Sequence, residues 1–174
     1  VAGMPQKIVS NGRDVIASPM KFNVMVNGTP VVWEQQNTDK IIYKKPAKIV
    51  RLALARGGGI QLENTTTMEA DGMVRFDVTL TSNESIPIDA ITAEVPYNAD
   101  VARYMTGEDK RIGGFRSGTI DWPISTDFKL WLGDWNAGMQ VNFSDKTKGH
   151  VTEDNGMVIL KAETDKLVIE KDRK

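Results

Sequence analysis

The chain has 174 residues, 40% of them hydrophobic, enough for one β-rich core that buries roughly 70% of the unfolded surface. Its 22 Lys+Arg against 23 Asp+Glu leave a net charge of -1, which gives no positive field to gather phosphate backbones and sets nucleic acid aside as a partner. The absence of cysteine excludes disulfides, thiolate nucleophiles, Cys-ligated zinc and iron–sulfur clusters.

The opening, Val1-Ala2-Gly3-Met4-Pro5, lacks an initiator Met, a signal peptide and a lipidation box, and reads as a processed or excised segment. Residues 1–45 form either an N-terminal arm or edge strands. Within them, residues 22–26 read as a strand running into Asn27-Gly28, a dipeptide that tolerates the positive φ of a tight hairpin turn, and Pro30 weakens the ladder beyond it.

Strands follow at 49–55 and 60–68, joined by Gly57-Gly58-Gly59. That triplet lacks a following Lys-Ser/Thr and precedes a strand, so it reads as a bend and not as a phosphate loop. After the turn Asp71-Gly72, the run Val74-Arg75-Phe76-Asp77-Val78-Thr79-Leu80 alternates apolar and polar side chains, the period of a strand with one dry face. A further strand is expected at 91–95, then a helical turn over 98–105 with Asn98 as its N-cap. Residues 106–126, with four glycines and Pro123, read as the longest irregular stretch.

Residues 130–145 carry the most information, two strands joined by a polar turn that displays the indole of Trp135. The second of them covers 139–143. A polar turn holding His150, strands at 157–163 and 167–170, and the turn Asp154-Asn155-Gly156 complete the chain. The basic-acidic end Glu170 to Lys174 reads as a linker cut short.

Many short strands without intervening amphipathic helices predict an all-β fold, a two-sheet antiparallel β-sandwich, with a galactose-mutarotase-like supersandwich as its larger variant. A single sandwich domain over 1–174, excised from a larger protein, is expected. Apolar runs of only a few residues fall far short of the ~20 that span a bilayer, so no membrane span is expected.

Chemistry-bearing residues are sparse. His150 is the only histidine, which excludes a His-dependent triad or a multi-His metal centre within the chain. It reads as a solvated turn residue, with a sugar-contacting or interface role as the rival. Asp121, Asp127, Asp134 and Asp145 lie near the Trp-rich region and could supply a glycosidase carboxylate pair, yet acids in β-turns commonly bond local backbone N–H groups instead. No spacing fits a metal loop, and neither a metal nor a cofactor is expected. Of the four tryptophans, Trp131 between Leu130 and Leu132 reads as core. Trp135 and Trp122 read as stacking platforms or interface anchors, against the alternative that each folds back onto its own sandwich.

Three blocks resemble the amino-terminal β-sandwich domain of glycoside hydrolase family 123, the N-acetyl-β-galactosaminidases, and of related bacterial proteins. Glu69 to Leu80 is similar to the family's strand pair beginning "DGM". Ile91 to Pro96, followed by Ala102-Arg103-Tyr104, is similar to an "L-x-x-x-I-P-L" strand and a short "E-Y-A-x-Y" turn. Leu130 to Asp145 is similar to a hairpin reading "W-x-G-x-x-x-R-G-L-x-W-F-x-x-S-D-x-G-W". The chain departs from these patterns at Ala137, where Arg is usual, at Asn142, where an aromatic is usual, and at His150, where Trp is usual. The resemblance implies a sandwich preceding a (β/α)₈ barrel that carries an Asp-Glu pair, and no residue here matches that pair.

The expected function is a non-catalytic accessory sandwich of an exported bacterial glycoside hydrolase that packs on an adjacent catalytic barrel in polysaccharide degradation; the expected location is periplasmic or extracellular, with lipid anchoring of the full-length protein as a variant. The alternative is a stand-alone carbohydrate-binding module. Its ligand-binding or interface candidates are Trp122, Asp134, Trp135, Asn136, Asn142 and His150.

Overall fold

The computed structural model describes residues 3–37, 39–107, 111–116, 118–125 and 128–171. They hold nineteen strands and no helix. The first nine are β1 (Val9–Ser10), β2 (Arg13–Asp14), β3 (Lys21–Val26), β4 (Thr29–Pro30), β5 (Glu34–Gln35), β6 (Lys40–Lys45), β7 (Lys48–Gly57), β8 (Ile60–Glu69) and β9 (Val74–Ser82). The next five are β10 (Ile86–Ile88), β11 (Ala90–Asn98), β12 (Tyr104–Gly107), β13 (Arg111–Phe115) and β14 (Ile120–Ser125). The last five are β15 (Phe128–Gly133), β16 (Gly138–Phe143), β17 (Thr147–Asp154), β18 (Met157–Glu163) and β19 (Leu167–Ile169).

The all-β, antiparallel architecture expected from the alternation is present. The chain nevertheless divides into two compact units where one sandwich over 1–174 was expected: residues 1–4, 23–90 and 166–174 form one, residues 5–22 and 91–165 the other. The expected arm 1–45 is likewise shared between them. Alternation identifies a dry face but not which core that face joins, so composition could not separate the two.

In the first unit, β7, β8 and β9 form a meander with β5 and β6 both on the free edge of β7. The β7–β8 turn uses Gly58 and Gly59 at φ 56° and 77°, a conformation that costs a side chain with Cβ strain, which is why the triglycine bends here. Ala53, Ala55, Ile60 and Leu62 occupy the buried face while Arg56 and Glu63 alternate onto the exposed one. The Asn27-Gly28 hairpin forms as expected, with Val26 paired to Thr29 and both turn residues at positive φ.

The second unit is a two-sheet sandwich. In one sheet β14, β17, β18 and β11 lie side by side; in the other the order is β13, β12, β15, β16. Val95, Tyr97, Trp122, Val151 and Leu160 from the first face Met105, Phe128, Leu130 and Leu132 from the second in one buried cluster. Val15 and Ile16 complete that cluster, and the segment is held by Val15 N–H to Ile8 O at 2.8 Å and Ala17 N–H to Pro96 O at 2.8 Å. The Tyr97 hydroxyl donates to Met139 O at 3.2 Å, tying strands of the two sheets together.

Two local readings change. Residues 99–103 do form a turn opened by Asn98, whose side chain accepts from Asp100 N–H at 3.2 Å and whose carbonyl accepts from Ala102 N–H at 2.9 Å. It stops after one turn, because Tyr104 and Met105 are taken by β12 pairing. The stretch 106–126, expected to be irregular, supplies the end of β12 together with β13 and β14. Gly107 serves a strand contact, since a Cβ there would meet Leu130 Cα at 2.9 Å.

Candidate functional site

The polar turn between β15 and β16 has the form that the sequence predicts, with Gly133 paired to Gly138 and residues 134–137 as the loop. Asp134 organises it. Its Oδ1 accepts from Asn136 N–H at 2.8 Å and from Ala137 N–H at 2.9 Å, while Oδ2 accepts from the Arg13 guanidinium. The two turn N–H groups first, and Arg13 after them, hold its carboxyl below the ordinary value of 3.8. With three of its roughly four acceptor sites used inside the fold and its side chain 7% exposed, Asp134 serves to position the turn.

The turn lifts Trp135 into solvent, where it is 86% exposed. Its indole meets the Tyr104 ring edge-on, 5.2 Å away at 62°. Tyr104 in turn contacts Phe115, 4.8 Å away at 36°, and Phe115 is 74% exposed. The register explains the run, because Tyr104 pairs with Phe115 on β13 and with Gly133 on β15.

The same strand faces carry Thr106, Trp131, Gln140, Lys129 and Asn142 outward, since Thr106 pairs with Trp131, Trp131 with Gln140 and Lys129 with Asn142. Trp131 was expected in the core; it is half-buried on the outer face, and Leu130 and Leu132 are the core residues. Period two decides this, since three consecutive strand residues cannot share a face. The indole lies over Gly133 and Gly138, and a Cβ on Gly138 would meet Trp131 Cζ2 at 2.6 Å. Glycine at both positions leaves room for the ring to lie flat against the sheet.

Trp122 has to be withdrawn as a stacking platform. It is 6% exposed, packed edge-on against Phe128 at 4.7 Å in the sandwich core, because Trp122 and Ile120 share the inner face of β14. His150 sits in strand β17, where a turn was expected, half-buried and paired with Asp121 on one side and Lys161 on the other. It belongs to the other sheet's outer face, a charged ladder in which Glu163 binds Lys148 at 3.1 Å and Lys161 at 3.3 Å and Lys21 meets Glu94 at 3.5 Å. Partial burial pushes the Glu163 carboxyl up, but the two lysines outweigh it and the net shift is downward.

The structure thus brings Trp135, Asn136 and Asn142 to one sheet and leaves Trp122 and His150 elsewhere. Sequence reasoning passed over Tyr104, Phe115 and Gln140, of which the outward register of Trp131 was the available signal. Ala137, where the family resemblance places Arg, is buried against the core. Of the four acids, Asp121 is exposed on β14, Asp145 is exposed after β16, Asp134 is engaged in its turn, and Asp127 lies outside the described residues. Among the described residues no group of three or more His, Asp or Glu could hold a metal ion, and no helix is long and apolar enough to cross a membrane.

Comparison with known proteins adds one finding. The family model described as glycoside hydrolase 123, third domain, matches residues 2–155, the family the resemblance named, there through its amino-terminal domain. Neither a curated protein nor a solved structure matches. With most of its length covered by that match, the chain belongs to the glycoside hydrolase 123 third-domain family.

Proposed function

We propose that this chain is a non-catalytic accessory domain of an exported bacterial glycoside hydrolase, and that it acts by position. The β15–β16 turn and the aromatic face beside it form one wall of the space in which an adjacent catalytic domain handles sugar. The observation that carries this reading is the pinned display of Trp135: a carboxylate, two backbone N–H groups and a distant arginine together hold an indole out in water. Leaving Trp135 and Phe115 exposed on either side of Tyr104 forgoes ~1.5–3 kcal/mol for each ring, and a contiguous apolar patch of this kind marks a site of contact.

The test is replacement of this segment by a short linker in a full-length family member. Hydrolysis of an oligosaccharide should slow while that of a small aryl glycoside is retained, since only the larger substrate extends to an accessory wall. Unchanged activity and substrate range on both would overturn the reading.

A second reading, a carbohydrate-binding module acting alone, is favoured by the continuity of Trp135 with Tyr104 and Phe115. Such a module binds glycan without its catalytic neighbour. Glycan-array binding by the chain that Trp135→Ala abolishes would support it, and an array with no bound glycan would remove it.

A further inference from the structure

The outer face of the β13–β12–β15–β16 sheet divides into two chemical zones. At one end the rings of Phe115, Tyr104 and Trp135 follow one another at centroid separations of 4.8 and 5.2 Å. Beyond them lie Thr106, Gln140 and Asn142, exposed side chains of one hydroxyl and two amides. Lys129 also faces outward, and among the outward-facing residues whose side chains are described there is no carboxylate.

We infer that this face binds a soluble, neutral glycan chain, the apolar faces of successive pyranose rings resting on the aromatic run and their hydroxyls on Thr106, Gln140 and Asn142. The inference rests on the carbohydrate-binding reading and names the ligand class for it. Three features carry it. The rings touch one another at the separations of ordinary aromatic pairs, so they make one continuous apolar strip along which successive sugars of a chain can lie. Their planes turn by 36° and then 62°, giving a curved and broken surface. A flat crystalline polysaccharide needs coplanar rings, whereas a free chain bends to meet tilted ones. Amides and a hydroxyl both donate and accept, which suits neutral sugar hydroxyls, and the described residues of the face carry no carboxylate to meet an amino sugar's ammonium.

The geometry also separates this face from the charged ladder around His150 and Lys161, which lies on the other sheet of the same sandwich. That ladder is the internal control.

The experiment uses the whole chain. Affinity electrophoresis in gels cast with hydroxyethylcellulose, galactomannan or laminarin is run beside sedimentation with microcrystalline cellulose and with chitin, and with polygalacturonate as an anionic probe. Retardation by at least one neutral soluble polymer is expected, with no depletion by the crystalline ones. Trp135→Ala and Phe115→Ala should each weaken binding about tenfold, the scale of losing one anchoring aromatic. Gln140→Ala should weaken it less, and Lys161→Ala on the control face should leave it unchanged. Both aromatics are largely exposed, so circular dichroism of these variants should match the parent.

Depletion by a crystalline polymer alone, or retardation by polygalacturonate alone, would overturn the ligand class while leaving carbohydrate binding in place. Binding that survives both aromatic substitutions would overturn the location. No retardation or depletion with any of them would overturn the inference together with the carbohydrate-binding reading, and would leave the accessory role to its own hydrolysis test.

Discussion

Arg13 and Asp134 stand 121 residues apart in sequence and meet in an ion pair, with Arg13 Nη2 also donating to Asp100 O at 3.1 Å. One guanidinium thereby joins the β1–β2 hairpin, the Asn98 turn and the turn that displays Trp135. The Asp134 carboxyl is held below its ordinary value of 3.8, so its charge stabilises the folded state above that pH and the contribution is lost as pH falls through the lower folded value. Asp134→Asn keeps an oxygen for the Asn136 and Ala137 N–H groups but removes the charge. We expect its unfolding midpoint to depend less on pH below about 4 than that of the parent, followed by thermal melts across an acid series. The flattening is partial, because Asp39, hydrogen-bonded by Arg51, is also held low and Glu163 shifts the same way.

Trp122 and Trp135 differ in environment by nearly the full range open to an indole, 6% exposed against 86%. Trp122→Ala empties a core site beside Phe128 and should cost about 3–5 kcal/mol. Trp135→Ala removes one edge contact and should stay within about 0.5 kcal/mol, the usual range for a surface site. Denaturant unfolding of the two variants checks the pair, and a large loss at Trp135 would mean that the indole supports the fold instead of being displayed by it.

Much of this was legible in the residues. The alternation of Val74 to Leu80 placed β9, the polar insert 133–138 placed the β15–β16 hairpin, and Asn27-Gly28 placed its turn, because each is a local signal of side-chain period or backbone strain. Trp131 departs from expectation through strand parity, whereas Trp122 and His150 do so because β14 and β17 lie in stretches whose Gly, Pro and Lys content reads as loop and turn. Leu130 and Leu132 already fixed the inward face, and Trp131 between them had to point out. What no local signal carried was register between distant strands. Phe115 and Tyr104 reach Trp135 only because β12 pairs with both β13 and β15, and a glycine-rich stretch hides such pairing.

The glycine floor under Trp131 gives a third prediction. A Cβ on Gly138 would lie 2.6 Å from Trp131 Cζ2 and 2.9 Å from Cε2, so Gly138→Ala must lift the ring or spread the hairpin. Overpacking of this kind costs about 1–3 kcal/mol. A double variant, Trp131→Ala with Gly138→Ala, should recover most of that loss, because the clash is with the ring. Non-additivity measured in a double-mutant cycle checks it, and simple addition of the two losses would show that the backbone, not the indole, is the obstacle.

Tyr97 supplies the alkaline counterpart to Asp134. Its ring is fully buried, its hydroxyl donates to Met139 O at 3.2 Å, and burial pushes its ionisation well above the ordinary value of 10. For a phenol the charged form is the deprotonated one, so a raised folded value means that the unfolded chain gives up this proton first. The resulting stability is complete below pH 10 and is lost as pH climbs towards the folded value. Tyr97→Phe removes both terms: at neutral pH it should cost about 0.5–1.5 kcal/mol for the lost hydrogen bond. Above pH 10 the gap to the parent should narrow, since the parent alone then pays to keep a phenol neutral. Chemical unfolding of both proteins at neutral and alkaline pH, with phenolate absorbance followed in parallel, measures this directly; a gap that stays constant would mean that Tyr97 ionises without leaving the core.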